Sequence, residues 1–318
     1  MRQWDDLTES EISQREAATS GARADPQGKT FAWVRALRLH QWAKNLLVFI
    51  PLLTAHLVPD RTLITQALLA FFCFGVCASA SYLINDIVDR EADRAHPRKR
   101  MRPFASGELA PHQGVAVAAV LFVAGFSAAW FGLNVLFFST LVLYVASTHW
   151  YSFVLKRIAM VDVLVLAGLY TLRLLGGSAA MGIAPSFWLL SFSMFLFLSL
   201  AVAKRYAELS MMLSEGRSKA AGRDYSTADL PLMLAVGVCS GLISVLVLAL
   251  YVHDGTAGRY KHPELLWLIC PLMLYWVCRV WRKTHRRELH DDPVVFAIVD
   301  RPSTVVAGAI AALVWVAS

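Results

Sequence analysis

Long apolar runs separated by short polar clusters set the pattern of this chain. A bilayer core about 30 Å thick takes about 20 mostly apolar residues per helical crossing. Runs of that order lie at 44–59, 63–88, 112–132, 134–155, 160–180, 186–203, 231–252, 264–281 and 303–317. They lack the period-two alternation of a membrane strand, so they predict helices and argue against a barrel. The pattern is that of an all-α, polytopic membrane protein with about nine transmembrane helices. The first and last runs are short, and Pro51 falls inside the first. Residues 1–34 are polar and rich in Ser and Ala, with no basic segment leading into an apolar stretch and a cleavage site. They read as a mobile cytoplasmic tail rather than a signal peptide, ahead of a transmembrane domain over 35–318.

Composition agrees with lipid as the solvent: 57% of the 318 residues are hydrophobic and only 17% are charged. Lys and Arg are distributed unevenly. All but Arg61, Arg173, Arg259 and Lys261 fall in the amino-terminal segment up to Lys44, in the loops after the second, fourth and sixth runs, or from Arg279, at the end of the eighth run, to Arg301. The positive-inside rule therefore places the amino terminus and those loops in the cytoplasm of a cell inner membrane. The net charge of +7 belongs mostly to that face, where topology and anionic lipid account for it without nucleic acid. Cys73, Cys77, Cys239, Cys270 and Cys278 all fall in apolar runs and read as buried thiols at helix packing surfaces.

Candidate chemistry concentrates at the end of the second run, where the chain reads Ser81-Tyr-Leu-Ile-Asn85-Asp86-Ile-Val-Asp89-Arg-Glu-Ala-Asp93. Asn85, Asp89 and Asp93 recur every four residues, so on a helix they share one face, with Asp86 beside them. Like charges at this spacing repel, and acids ending an apolar span are costly to desolvate, so a cation should compensate them. Carboxylates joined by phosphate oxygens and water are what Mg²⁺ prefers at a diphosphate. The competing reading is a solvated helix end paired with Arg90, Arg94 or Arg98. His96, Arg98, Lys99, Arg100 and Arg102 follow at once and suit a multiply charged phosphate ester. Positive-inside bias alone would also produce such a cluster. Arg173 lies within the fifth run, near Gly176 and Gly177, where a guanidinium needs a polar cavity or a partner. Asp162, at the start of that run, reads as a partner of Lys156 or Arg157.

Asn85 to Asp93 matches the first aspartate-rich motif, NDxxDxxxD, of the UbiA superfamily of intramembrane prenyltransferases. The resemblance runs from about Arg35 to the carboxyl terminus. Within the superfamily the chain is most similar to the decaprenyl-phosphate phosphoribosyltransferase branch. The residues that carry this are Leu37-Arg38, His40-Gln41-Trp42-Ala43-Lys44-Asn45, His96-Pro97-Arg98-Lys99-Arg100, Arg102-Pro103 and Lys204-Arg205-Tyr206-Ala207-Glu208-Leu209. One departure matters: the loop after the sixth run has no second close run of aspartates. It presents Lys204, Arg205, Arg217, Lys219 and Arg223 against scattered acids.

The resemblance implies a nine-helix bundle and Mg²⁺ held by Asn85, Asp89 and Asp93, the catalytic set. It implies phosphoribosyl diphosphate as donor and a polyprenyl phosphate lipid as acceptor. Lys44, Asn45, Asp86, Arg98, Lys99, Arg102, Arg173, Lys204, Arg205, Tyr206 and Glu208 are the expected substrate contacts. Two other functions are weighed against this. An aromatic polyprenyltransferase would pass a prenyl group from its diphosphate to an acceptor such as 4-hydroxybenzoate. A lipid transporter should show paired broken helices and an inverted repeat, and the sequence has neither.

Overall fold

A computed structural model of the chain describes residues 26–55, 60–95, 99–218, 223–254, 260–289, 296 and 300–317. Every regular element among them is helical apart from an isolated bridge residue, Ser226, and no strand pair forms a sheet among the described residues. In chain order the helices are α1 (Pro26–Leu37), α2 (Ile50–Thr54), α3 (Arg61–Val88), α4 (Arg90–Arg94), α5 (Pro103–Ser106), α6 (Pro111–Gly132) and α7 (Val135–Phe153). They continue with α8 (Val161–Met181), α9 (Phe187–Ser214), α10 (Leu230–Asp254), α11 (Ile269–His285) and α12 (Arg301–Ala317).

 Six helices among the described residues are long and apolar enough to cross a membrane: α3, α6, α8, α9, and α10 and α11 with the turns that precede them. The described residues of the nine apolar runs lie mostly on helical segments, but the count by length and composition is six. The first run departs furthest from a regular span. Leu39–Phe49 is a 3-10 helix, and α2 continues it with Pro51 in its first turn, where the missing N–H costs no helical bond. The last, α12, has 17 residues. Residues 26–34, the end of the expected tail, lie in α1.

The chain divides into two compact units. The described residues of the first are 26–38 with Tyr82–Ala116. Here Trp33 meets Phe104 edge-on at 6.4 Å, and Gly114 leaves room for the Phe104 ring and Ile87.

The second unit comprises Leu39–Ser81 and Val117–Ser318. Its helices pack through clusters of buried apolar side chains, and small residues mark the closest approaches between them. A Cβ on Gly177 would lie 2.1 Å from the Val48 carbonyl oxygen, so α8 and the 3-10 helix touch backbone to backbone. At Gly237 of α10 the neighbour is the Trp281 ring of α11, 2.0 Å from where a Cβ would stand. Trp281 Nε1 donates to Ser199 Oγ at 2.9 Å, and Ser199 donates on to the Gly237 carbonyl at 2.7 Å, which ties α9, α10 and α11 together. Asn134 caps α7 by accepting from Phe137 N and donates to Ala179 O at 2.6 Å, fixing the start of α7 to the end of α8. The five cysteines are free; Cys73 and Cys77 are buried as expected, whereas Cys239 and Cys278 are exposed on outer helix faces.

Candidate functional site

In the first unit the aspartate-rich stretch is not one unbroken helix. α3 ends at Val88, Asp89 caps the short α4, and the turn carries both. The four-residue stacking nevertheless persists, because Asp89 N donates to Asn85 O at 2.9 Å and Asp93 N to Asp89 O at 2.8 Å. Asp86 and Asp93 are buried, Asn85 and Asp89 half-buried.

Arginines compensate the buried acids. Arg102 Nη1 lies 3.1 Å from Asp86 Oδ1 and 2.7 Å from Asp93 Oδ2, so one guanidinium nitrogen stands between two carboxylates. Arg38 grips both oxygens of Asp86, at 2.7 and 2.8 Å, and lies over the Tyr82 ring. Its backbone is left-handed, with φ of 51°, a strained conformation that the bifurcated bond from Nη2 and the ring contact hold in place. The sequence marks Arg38 only as part of a motif, and its role as the partner of Asp86, 48 residues away, has no local signal. Glu108 pairs with Arg35, which holds its carboxyl below the usual range. Lys99 is exposed in the 3-10 turn Lys99–Met101, and His96, Pro97 and Arg98 lie outside the described residues.

In the second unit Arg173 is buried in α8 among neutral partners. Its Nε donates to Asn45 Oδ1 at 3.0 Å, Nη1 to Leu169 O at 2.8 Å and Nη2 to the Tyr144 hydroxyl at 2.7 Å. The guanidinium stands over the rings of Tyr144 and Tyr170, and the Lys44 ammonium stands 5.7 Å from the same Tyr170 ring. Lys44 and Asn45 are themselves buried on the 3-10 helix. Tyr170, three residues before Arg173 on one helix, was legible as a neighbour; Tyr144, on another helix, was not.

A third cluster centres on Asp162, which is wholly buried. It accepts from Arg205 Nε at 3.0 Å, Arg223 Nη1 at 3.1 Å and the Tyr225 hydroxyl. The sequence offered its neighbours Lys156 or Arg157 as partners; tertiary packing supplies Arg205, Arg223 and Tyr225 instead. Burial and the bond to Asp162 both raise the Tyr225 phenol above its ordinary range, so it stays a donor. Tyr225 also accepts from Met160 N, whose residue has φ of 65°. Beside this knot is a cavity of about 470 Å³ lined by Met160, Arg223, Tyr225, Ser226 and Asp229, among others. Arg205, expected on a phosphate, thus has its charge met by Asp162 and by Glu208, three residues on. Tyr206 bonds His285 Nδ1 at 3.0 Å and packs on Trp281, while Lys204 is half-buried. Lys219 of the same loop lies outside the described residues.

Among the described residues no three of His, Cys, Asp and Glu form a metal site by themselves. The acids of the first unit therefore need ligand oxygens to complete any metal sphere.

A family model for the UbiA prenyltransferase family matches residues 47–300. The uncharacterized protein y4nM of Sinorhizobium fredii is 39% identical over 282 residues, which are 88% of this chain and 54% of that protein; the chain spans about half its length. Nodulation protein NoeC of Azorhizobium caulinodans is 33% identical over 274 residues, 86% of this chain and 89% of NoeC. A decaprenyl-phosphate phosphoribosyltransferase of Mycobacterium tuberculosis is 34% identical over 237 residues, 71% of this chain and 76% of that protein. Among solved structures, a UbiA homologue from Archaeoglobus fulgidus bound to GPP and Mg²⁺ has a TM-score of 0.66 at 17% identity, covering 89% of this chain and 98% of that one, a likeness of fold. With its apolar helices and a family match across most of its length, the chain is a multi-pass membrane protein that belongs to the UbiA prenyltransferase family.

Proposed function

We propose that the chain transfers phosphoribose from phosphoribosyl diphosphate to a polyprenyl phosphate lipid, with Mg²⁺, at the cytoplasmic face of an inner membrane. The observation that carries the choice of donor is the state of the acids around the carboxyl-terminal half of α9 and the loop after it. A prenyl diphosphate donor calls for a second carboxylate set to hold its metals. Here Glu208 is taken by Arg205, Asp229 bonds Ser226 in its own turn, and Asp162 is saturated by two arginines and a tyrosine. The identity to a phosphoribosyltransferase supports the same reading.

The first unit fits Mg²⁺ in donor chemistry: Asn85, Asp89 and Asp93 offer only oxygen, one turn apart, and the Arg102 nitrogen marks a place where positive charge already sits between two carboxylates. Asn85, Asp89 and Asp93 would hold the ion, with phosphate oxygens and water completing its sphere. When bound, it supplies positive charge against the departing diphosphate. Arg38 pairs with Asp86, and Arg102 with Asp86 and Asp93, which holds these carboxylates in place. Arg98, Lys99 and Lys204 donate to phosphate oxygens, while Arg205, Tyr206 and Glu208 act by holding the start of the loop after α9. The bond from ribose C1 to the diphosphate breaks with its electron pair leaving on the diphosphate, and an oxygen of the lipid phosphate forms the new bond to C1. No covalent enzyme intermediate is needed. The Lys and Arg bias of the loops supports a cytoplasmic amino terminus and a donor drawn from that side.

The test is the full chain in detergent with Mg²⁺, labelled phosphoribosyl diphosphate and a series of polyprenyl phosphates. Release of diphosphate together with a labelled, acid-labile lipid is expected. Prenylation of 4-hydroxybenzoate from a prenyl diphosphate, with phosphoribosyl diphosphate ignored, would overturn the donor and leave the family assignment standing.

A further inference from the structure

Arg173 presents an electrostatic problem. It lies twelve residues into α8, about 18 Å along the helix from Val161, and is 6% exposed. A guanidinium in such a place is costly unless an anion or a polar cavity meets it. Its three bonded partners are an amide oxygen, a backbone carbonyl and a phenol, none of them charged, and among the described residues no carboxylate pairs with it. Two of its five N–H groups remain beyond those three bonds.

Asn45 adds a second observation. Its Oδ1 is spent on Arg173, which fixes the orientation of the amide, and its Nδ2 is buried with no hydrogen-bond partner. An unpaired buried donor is costly, so this one is explained by a ligand that accepts from it. Lys44, next in the chain, brings a second positive charge against the ring that Arg173 also faces. The cluster therefore offers N–H donors and positive charge, and the partner it suits is an anion with several acceptor oxygens.

The aromatic residues around the cluster narrow the class further. Tyr144 and Tyr170 continue into Phe74, 5.1 Å from the Tyr144 ring, and Phe197, stacked 5.0 Å from Tyr170. Such apolar, aromatic surroundings suit an anion borne on an apolar chain. They do not suit an allylic cation, because cations already occupy the aromatic faces that would stabilise one. We infer that Lys44, Asn45 and Arg173 bind the phosphate monoester of the lipid acceptor. This deepens the proposed function and rests on it for the identity of the lipid; the residues lie in the second unit and are a separate set from the acids that would hold the metal.

The experiment measures the melting temperature and affinity of the full chain in detergent with EDTA and no donor, using farnesyl monophosphate, farnesol and inorganic phosphate in parallel. Farnesyl monophosphate should bind and stabilise the parent, with the other two at least about ten-fold weaker. Equal stabilisation by farnesol, or equal binding of inorganic phosphate, overturns the site as one for a lipid-borne phosphate. Asn45→Asp replaces the free donor by an acid at constant size and should weaken farnesyl monophosphate about ten-fold or more; an unchanged affinity in a folded variant overturns the assignment of residues. The comparison of phosphate with alcohol needs no variant and so survives any misfolding. A parent that binds farnesyl monophosphate in this way but makes no lipid-linked phosphoribose removes the proposed reaction and keeps the site. A parent that makes the product while Asn45→Asp retains its acceptor KM removes the site and keeps the reaction.

Discussion

Asp89 and Asp93 occupy neighbouring turns but differ in what their loss should do. Asp93 is 2% exposed and ion-paired with Arg102, so Asp93→Asn removes charge from a buried pair as well as from a metal set. Asp89 is half-buried at the junction of α3 and α4, and Asp89→Asn changes charge with little change in packing. Both variants should lose at least about 100-fold in turnover at saturating Mg²⁺, a loss of about 3 kcal/mol of transition-state stabilisation. Only Asp93→Asn should also lower the melting temperature. Turnover of Asp89→Asn within a few-fold of the parent would sink the metal assignment. The adjacent cations Lys204 and Arg205 should separate in the opposite sense. Arg205→Met leaves Asp162 buried with a reduced set of partners and should destabilise by about 3–5 kcal/mol. Lys204→Ala should melt near the parent and raise the apparent KM for the donor. Parallel melting curves and donor titrations of the two variants check this.

At the scale of elements, glycines decide where helices meet. Gly177 and Gly168 share α8, yet a Cβ on Gly177 would strike the Val48 backbone whereas one on Gly168 meets nothing within 4 Å. Gly177→Ala should therefore cost about 1–3 kcal/mol through overpacking. Gly168→Ala should be neutral or stabilise by up to about 1 kcal/mol, since it relieves only the entropy of a helical glycine. Thermal melts of both in one detergent decide the matter. The junction into α12 is an ionic one. Burial would raise the Asp300 carboxyl, but bonds from Arg279 and from the Ser303 hydroxyl and N–H outweigh it and hold it at about 2. A carboxyl depressed in the folded state stabilises fully above its unfolded range near pH 4 and loses that contribution as pH falls toward about 2. Asp300→Asn should accordingly melt below the parent at neutral pH, and the gap should close on acidification through that window. A constant gap down to pH 2 would show that the ion pair is not its source.

For the whole molecule, the apolar runs set the helical membrane class but not the number of spans, because helix-forming apolarity is a local property of about 20 residues whereas six of the helices meet the length and composition of a crossing. The four-residue spacing of Asn85, Asp89 and Asp93 and the cation cluster after them were legible for the same reason. Their partners were not. Arg38 reaches Asp86 across 48 positions, Arg205 reaches Asp162 across 43, and Arg173 reaches Asn45 across 128. In the sequence Arg173 and Arg205 look equally free to meet a substrate. Folding spends some charges on one another, since a buried charge must find its compensation within the protein or in a ligand. Membrane insertion, helical class and the position of the acidic motif were thus determined by the sequence alone. Tertiary structure alone decided that Arg205 is neutralised by Asp162 while Arg173 is left among neutral groups, because that depends on which helices come to lie side by side.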